Sequence, residues 1–247
     1  MRLFGLIGHP LSHSFSKSFF TEKFKKEKIA DCRYENFDLE KIEHFKSLPE
    51  KHEDLCGLNV TIPYKTAIIP YLKQLDDVAA ETKAVNTVLF KNGITFGFNT
   101  DVIGFGETIK DYLSYNNPRA LILGTGGSAK AVAYVLKQAG VTFQMVSRKT
   151  DAHTLTYSHL TKEIIESHTL IINCTPLGRH PEIDQAPPIP YNYLTDKHFL
   201  YDLNYNPSET VFMKEGLKRG VNVKNGMEML IKQAEASWHI WNNESEK

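Results

Sequence analysis

The sequence lacks most of the features that mark secreted, metal-binding and membrane proteins. Its 247 residues include three cysteines, Cys32, Cys56 and Cys174, whose wide spacing suits neither a disulfide framework nor a metal motif. We expect them to be small buried side chains in a reducing compartment. No run of about 18 apolar residues is present, so no membrane-spanning helix is expected.

Neither sign of charge is in excess, because 29 basic side chains balance 29 acidic ones. A chain without a net field is not expected to recruit nucleic acid or an anionic membrane surface. His9 and His13 have no partner at metal-ligand spacing, so no metal is expected either. We predict a cytoplasmic protein that binds a small molecule, as a monomer or as a homodimer.

The order of apolar segments predicts an α/β protein with two domains. In the first hundred residues, predicted strands and helices alternate, which favours a mostly parallel sheet covered by helices. The strands are expected at residues 3–7, 33–37, 55–62, 85–90 and 94–98, and the helices at 17–27, 39–48 and 66–75. Lys91-Asn92-Gly93, between the last two strands, is a strong hairpin signal.

After a predicted helix at 102–113, the pattern is typical of a Rossmann-like dinucleotide-binding domain. Its strands are expected at residues 120–123, 141–146, 170–174, 199–203 and 221–223, and its helices at 129–139 and 210–217. The last helix, 227–241, carries an apolar stripe, and we expect it to pack back on the N-terminal half. The predicted domains are residues 102–226, for the dinucleotide, and residues 1–101 with 227–247, for the substrate.

The segment Gly124-Thr125-Gly126-Gly127-Ser128 lies between a predicted strand and a predicted helix. The glycines allow a sharp turn and the close approach of a ligand, because no Cβ is in the way. The N–H groups and the positive dipole end of the following helix favour a phosphate there. The pattern predicts a dinucleotide site; the alternative is a glycine-rich turn of an ordinary α/β protein.

The end of the next strand indicates which dinucleotide would bind. An NAD site usually has an acidic residue here, which binds the ribose 2′-hydroxyl. In this chain the residues are Ser147, Arg148 and Lys149, and two cations with a hydroxyl suit a 2′-phosphate. We therefore predict NADP(H) as the cofactor; the alternative is that Arg148 is a solvated surface charge.

Asn59 and Thr61 share one face of a strand that is otherwise apolar, which predicts a polar pocket at the end of that strand. Pro63 ends the strand and can open a helix, so Lys65 is expected in the first helical turn. A cation is unfavourable at that end of a helix, which indicates a functional lysine. The alternative is a solvated lysine at a helix end.

Asn86 and Asp101 add polar groups at the start of a predicted strand and directly before the helix at 102–113. Taken alone, Asp101 suits a helix N-cap. Together with Lys65, its carboxylate suits an acid–base pair that acts on a hydroxyl or a carbonyl.

The loop after the first strand carries three hydroxyl groups, on Ser12, Ser14 and Ser16. Any one of them could cap the next helix, and together with the helix N-terminus they suit a substrate carboxylate. His9 and His13 in the same loop could act as general bases, but structural hydrogen bonding is their expected role.

The order and spacing of these motifs resemble the shikimate dehydrogenase family over essentially the whole chain. The matching segments are residues 8–16 (GHPLSHSFS), 59–65 (NVTIPYK), 84–87 (AVNT), 99–101 (NTD), 124–127 (GTGG), 173–178 (NCTPLG) and 226–233 (GMEMLIKQ). The resemblance implies a two-domain enzyme that reduces 3-dehydroshikimate to shikimate with NADPH, in the route to chorismate and the aromatic amino acids.

The resemblance also implies roles for individual residues. Ser14 and Ser16 would hold the substrate carboxylate, and Lys65, assisted by Asp101, would handle the proton on the reacting oxygen. The ring hydroxyls would be bound by Asn59, Thr61, Asn86, Asp101, Tyr205 and Gln233. The positions close to the cofactor would include Asp77, Leu203 and Gly226.

The chain departs from the family pattern in two places. The serine loop usually continues with Pro and, three residues on, His; here these positions hold Lys17 and Phe20. The 2′-phosphate clamp often has a second Arg, whereas Lys149 stands beside Arg148, so a preference for NADP is expected to survive in weaker form. Two alternatives stay open: a relative that also uses quinate or NAD, and a non-catalytic NADP-binding sensor.

Overall fold

The computed structural model describes residues 1–11, 15–149 and 154–243. They fold as two compact units, which we call the first unit and the second unit. The first unit contains the described parts of residues 1–100 and 234–247, and the second unit those of residues 101–233. Among the residues described, no helix is long and apolar enough to cross a membrane.

The first unit is built on a six-stranded sheet in the order β2-β1-β3-β5-β6-β4. Its elements are β1 (Arg2–Gly8), α1 (Phe15–Lys26), β2 (Cys32–Asp38), α2 (Leu48–Lys51), β3 (Leu55–Val60), β4 (Gln74–Leu75), α3 (Asp77–Thr82), β5 (Thr87–Lys91) and β6 (Ile94–Phe98). Strand β1 is parallel to β2 and β3, whereas β5 is antiparallel to β3 and β6. The predicted hairpin is confirmed: Asn92 and Gly93 both have positive φ, as its turn requires.

The predicted helix at 66–75 is wrong. Residues 65–68 form turns, and only Ile69–Tyr71 makes a short 3₁₀ helix. Pro70 lies inside the predicted span, where its ring and its missing N–H break an α-helix. Lys65 therefore lies in a turn, and the expected placement of its cation in a first helical turn is wrong too.

Two other predictions for the first unit need correction. The span predicted as a helix at 39–48 is a 3₁₀ helix, Ile42–Ser47, that leads into α2. Helix α3 was not predicted, although it has a capping residue: the Asp76 side chain accepts a hydrogen bond from Ala79 N at 2.8 Å.

The second unit contains a six-stranded parallel sheet in the order β12-β11-β10-β7-β8-β9. Its elements are α4 (Asp101–Tyr115), β7 (Ala120–Leu123), α5 (Gly127–Gln138), β8 (Phe143–Ser147), β9 (Thr154–Thr156), α6 (Lys162–Ser167), β10 (Leu170–Asn173), β11 (Phe199–Asp202), α7 (Val211–Leu217) and β12 (Asn222–Lys224), followed by α8 (Met227–Asn243), which continues into the first unit. Read from its other edge, the sheet has the 3-2-1-4-5-6 order of the Rossmann fold.

The central strands of this parallel sheet are apolar on both faces. Every side chain of β7 is fully buried, as are Leu170, Ile171 and Ile172 of β10. This burial is expected where helices cover a parallel sheet on both sides. Because β7 and β10 are parallel neighbours, the polar residues that follow them lie at the same edge of the sheet.

The C-terminal part of α8 packs on the sheet of the first unit, as the apolar stripe predicts. Trp241 stacks on Phe4 of β1, with 4.8 Å between ring centroids, and its Nε1 donates to the Val88 carbonyl at 3.0 Å. The aromatic cluster around it also contains Phe20 and Tyr34, whose rings stack at 4.6 Å.

Candidate active site

The glycine loop after β7 combines a strained turn with an open surface. Gly124 has φ +112°, a conformation that other residues rarely adopt, and a Cβ there would lie 3.3 Å from the Cys174 carbonyl oxygen. Gly126 is different: its φ is −74°, and a Cβ built on it meets no atom of the described residues within 4 Å. The described part of the fold therefore does not require glycine at 126, and the absence of a side chain leaves the backbone open to the close approach of a ligand.

Helix α5 begins directly in this loop, at Gly127. Its N-cap, Gly126, has no side chain to accept hydrogen bonds from the first-turn N–H groups. These donors and the positive end of the dipole suit phosphate oxygens. Thr125 and Gly126 are exposed, and the loop lies where the strand order reverses between β7 and β10. The geometry fits the diphosphate of a dinucleotide.

The predicted 2′-phosphate residues follow the neighbouring strand β8. Ser147 is its last residue, and its Oγ accepts from Lys149 N at 3.4 Å. Arg148 and Lys149 are both exposed. Arg148 also lies near Tyr157. Burial raises the pKa of the Tyr157 phenol to about 12, and the positive charge of Arg148 opposes this rise. Since β7 and β8 are parallel neighbours, their ends share one edge of the sheet.

Leu203 and Gly226, both expected near the cofactor, lie against each other. A Cβ on Gly226 would come within 2.1 Å of the Leu203 carbonyl oxygen, so no other residue fits at 226. Gly226 N donates to the Asn204 carbonyl at 3.0 Å. The segments after β11 and before α8 are thereby held together.

A buried carboxylate that sequence reasoning missed organises the ends of β10 and β11. Asp202 Oδ1 accepts from Asn173 Nδ2 at 3.0 Å and from Asn204 N at 2.9 Å. Its Oδ2 accepts from Thr210 Oγ1 at 2.6 Å. Burial raises the pKa of the Asp202 carboxyl to about 6, and these hydrogen bonds oppose the rise. The only sequence signal is a pair of polar residues ending two adjacent apolar strands.

Asp101 is the first residue of α4 rather than the residue before it, and it is buried. A carboxylate in the first turn is favoured by the helix dipole. Burial raises the pKa of the Cys174 thiol, and the charges of Asp202 and Asp101 raise it further. Asp101 therefore lies in the electrostatic surroundings of the end of β10, within the second unit.

Gln233 and Tyr205 are the other predicted substrate ligands of the second unit. Gln233 lies on α8 and packs against Gly104 of α4: a Cβ on Gly104 would be 3.1 Å from Gln233 Cβ. Gly104 is about one helical turn after Asp101. Tyr205 is partly buried, which raises the pKa of its phenol, and the nearby Arg179 opposes this rise. Gln233 thus packs against α4 about one helical turn from Asp101.

The serine loop is only partly described. Ser14, predicted to hold the carboxylate, lies outside the described residues, as do Ser12 and His13. Ser16 is buried in α1, and its side chain hydrogen-bonds to the hydroxyl of Tyr34. Burial raises the pKa of the Tyr34 phenol well above its ordinary value.

His9, in the same loop, has a structural partner in Asp38, the last residue of β2. Its Nδ1 lies 2.6 Å from Asp38 Oδ1, and Asp38 Oδ2 accepts from Leu11 N at 3.1 Å. Asp38 thus holds the loop at two points. Its hydrogen bond with His9 lowers the pKa of the Asp38 carboxyl. The structural role expected of His9 agrees with this contact.

The other predicted ligands of the first unit cluster around the end of β3. Asn59 and Asn86 are both buried, with 4% and 2% exposure. Thr61 N donates to the Ile7 carbonyl at 2.9 Å, which holds the chain beyond β3 against β1. The Lys65 carbonyl accepts from Val85 N at 2.7 Å, so the turn that carries Lys65 is tied to the segment before Asn86.

Two further residues of the first unit bear on the predictions. Asp77, expected near the cofactor, is exposed at the start of α3. Asn99, in the NTD segment of the family resemblance, is buried and donates from Nδ2 to Thr82 Oγ1 at 3.0 Å. Its Oδ1 is buried without a hydrogen-bond partner among the described residues. Such a buried acceptor is uncommon.

Known proteins resemble this chain over almost its full length. A sequence model of the shikimate dehydrogenase substrate binding domain matches residues 6–88. A shikimate dehydrogenase (NADP(+)) of Methanosphaera stadtmanae is 35% identical over 256 residues, covering 96% of this chain and 90% of that protein. The solved chorismate mutase/shikimate 5-dehydrogenase fusion protein from Clostridium acetobutylicum has a TM-score of 0.87 at 33% identity, covering 98% of this chain and 92% of that chain. Shikimate 5-dehydrogenase from Thermus thermophilus, in complex with NADP(H) and shikimate, has a TM-score of 0.84 at 28% identity, covering 98% of this chain and 94% of that chain.

Proposed function

Because this chain belongs to the shikimate dehydrogenase family, we propose that it interconverts 3-dehydroshikimate and shikimate with NADP(H), using Lys65 and Asp101 as its acid–base pair. The observation that carries the cofactor assignment is Gly126, at the N-terminus of α5, where no described residue lies close enough to require a glycine. A loop of this kind, at the reversal point of a six-stranded parallel sheet, is where a dinucleotide diphosphate binds.

We assign the cofactor contacts to four segments of the second unit and one residue of the first. The N–H groups of the glycine loop would hold the diphosphate, and Ser147, Arg148 and Lys149 the 2′-phosphate. Leu203 and Gly226 would border the nicotinamide. The remaining assigned positions are Asp77, Gly124, Thr125, Gly126, Gly127 and Ser128.

The chemistry that NADP(H) supplies when bound is hydride exchange with the carbon that bears the reacting oxygen. The side chains of this protein have to manage the proton on that oxygen. Lys65 would give the proton to the oxygen during reduction and take it during oxidation, and Asp101 would hold the lysine and the hydroxyl in place. Paired amine and carboxylate groups are suited to this work because one donates where the other accepts.

The substrate carboxylate is assigned to Ser14 and Ser16, and the ring hydroxyls to Asn59, Thr61, Asn86, Asp101, Tyr205 and Gln233. Buried amide and hydroxyl groups bind such a ring well because they lose little freedom on binding. In functional terms we propose a substrate domain of residues 1–101 with 227–247, and an NADP domain of residues 102–226. We also propose that the enzyme works in the cytoplasm, with a small molecule as its partner.

The test is the formation of NADPH, followed by absorbance, with shikimate as the reductant. We expect turnover with shikimate and NADP, a lower kcat/KM with NAD, and a lower kcat/KM with quinate. Comparable kcat/KM values for quinate or NAD would instead support the broader relative. Binding of NADPH without turnover of any hydroxy acid would show a non-catalytic sensor and overturn the proposal.

A further inference from the structure

A buried hydrogen-bond network in the first unit connects the two asparagines assigned to the substrate. At its centre is Ser237, a fully buried residue of α8. The Ser237 hydroxyl accepts from Asn59 Nδ2 at 2.9 Å. It also lies 2.7 Å from Thr87 Oγ1 and 3.2 Å from Thr100 Oγ1. One hydroxyl group therefore joins three polar side chains in a region closed to water.

The Asn59 amide is held at both of its ends. Its Oδ1 accepts from the Tyr34 hydroxyl at 2.7 Å, while its Nδ2 donates to Ser237. Tyr34 is itself hydrogen-bonded to Ser16, a proposed carboxylate ligand. With both ends occupied, the amide keeps one orientation, and what it offers to a ligand is set by Tyr34 and Ser237.

Asn86 is connected to the same hydroxyl through two threonines. Its Oδ1 accepts from Thr100 N at 2.7 Å, and its Nδ2 donates to Thr100 Oγ1 at 2.9 Å. The Thr87 hydroxyl donates to Asn86 Oδ1 at 3.1 Å. Since both threonine hydroxyls also bond to Ser237, a change at Ser237 reaches both asparagines.

We infer that Ser237 is a positioning residue for substrate binding, which acts by orienting the amides of Asn59 and Asn86. The inference rests on the proposed function, which assigns both amides to the substrate. Removal of the hydroxyl leaves Asn59 Nδ2 and Thr87 Oγ1 without this partner, and buried polar groups move to recover a hydrogen bond. The amides then present different groups to the ring hydroxyls, while the cofactor contacts are unaffected.

The test compares Ser237→Ala, Thr87→Val and Thr87→Ser in the whole protein, assayed with shikimate and NADP. Valine has nearly the shape of threonine without its hydroxyl, whereas serine keeps the hydroxyl. We expect Ser237→Ala and Thr87→Val to raise the KM for shikimate about tenfold, and Thr87→Ser to stay within about twofold of the unaltered protein. The KM for NADP should be unchanged in all three variants.

Thr108→Val is the matched control. Thr108 is buried in the second unit, where its hydroxyl lies 2.7 Å from the Tyr201 hydroxyl. Its loss removes a buried hydrogen bond of the same kind and should leave the KM for shikimate unchanged. Urea unfolding of every variant reports whether it is folded, and Thr87→Val carries the test if Ser237→Ala does not fold.

An unchanged KM for shikimate in both hydroxyl-deleting variants would overturn the role of Ser237. An equal rise in the KM values for shikimate and NADP would also overturn it, because that is the result of general loosening. If the unaltered protein does not reduce NADP with shikimate, the proposed function fails and this inference with it. The unaltered protein therefore distinguishes the two failures.

Discussion

The indole of Trp241 lies directly on the backbone of Gly57. A Cβ built on Gly57 would come within 2.3 Å of Trp241 Nε1, which donates to the Val88 carbonyl at 3.0 Å. Trp241 is fully buried. The C-terminal helix can therefore pack on the sheet of the first unit because β3 has no side chain at this position.

Gly57→Ala should destabilise the protein strongly. The added methyl overlaps a buried ring that cannot move without breaking its hydrogen bond, and overpacking of this kind costs roughly 3 kcal/mol. The measurement is the free energy of unfolding in urea. Gly106→Ala, in the interior of α4, is the control. Its Cβ would lie 3.8 Å from the side chain of Val135 in α5, an ordinary contact, so the substitution should raise stability by about 0.5–1 kcal/mol. Equal stability of the two variants would contradict this account.

Gly126→Ala should separate cofactor binding from folding. Gly126 has an ordinary φ, and a Cβ there would meet no described atom within 4 Å. Alanine should therefore change stability by less than about 1 kcal/mol, because the reduced freedom of the unfolded chain and the poorer N-cap oppose each other. The methyl would occupy the place of a phosphate oxygen, and we expect the KM for NADP to rise roughly tenfold to a hundredfold. An unchanged KM for NADP would show that the loop does not hold the cofactor.

Arg148→Ala should weaken NADP binding without affecting NAD. Loss of a guanidinium that binds a phosphate should raise the KM for NADP about tenfold, and Lys149→Ala should have a smaller effect because Lys is a point charge. Steady-state kinetics with both cofactors checks this. Lys162→Ala, an exposed lysine of α6, is the control and should change neither KM. Equal effects on NADP and NAD would exclude a 2′-phosphate contact.

The central strands β7, β10 and β11 of the second unit could be predicted because each is a short apolar run that is almost completely buried. Strand β9, a three-residue segment of Thr-Leu-Thr, is not among the predicted strands because it carries no such run. The loop around Gly124 and the cations after β8 could also be predicted from local sequence, because each is recognised by the apolar strand directly before it. The path of residues 61–75 could not be predicted in this way. It is set by contacts with distant segments, such as Thr61 N with the Ile7 carbonyl and Val85 N with the Lys65 carbonyl.

The residues of the candidate site likewise differ in whether local sequence identifies them. Residues in recognisable motifs, such as Asn59 and Asp101, could be named from the sequence. Asp202 and Ser237 could not, because their residue types are common on surfaces and only the tertiary packing buries them among polar partners. The prediction that Lys65 lies in a helix is wrong because it rests on Pro63 as a helix start. Pro70, seven residues later, prevents an α-helix in this segment.

The stability of the protein should depend on the ionisation of Asp202. Burial raises the pKa of this carboxyl to about 6. The folded protein thus holds the proton more tightly than the unfolded chain, so this contribution is present below about pH 4 and is lost as the pH rises through about 6. For this rise in the pKa of Asp202, the contribution to the free energy of unfolding amounts to roughly 3 kcal/mol.

Asp202→Asn removes this ionisation and should remove its pH dependence. The free energy of unfolding of the unaltered protein should fall relative to that of the variant between about pH 4 and pH 7. Urea unfolding of both proteins across this range makes the comparison. A constant difference at every pH would show that Asp202 does not titrate in the folded protein.

The acid–base pair is tested most directly by the kcat of Lys65→Ala and Asp101→Ala with saturating shikimate and NADP. Loss of a group that moves or positions the proton should lower kcat roughly 100- to 10,000-fold. The KM for NADP should stay near that of the unaltered protein, since neither residue is assigned to the cofactor, and urea unfolding should show that both variants are folded. A kcat near that of the unaltered protein in either folded variant would contradict the role assigned to that residue.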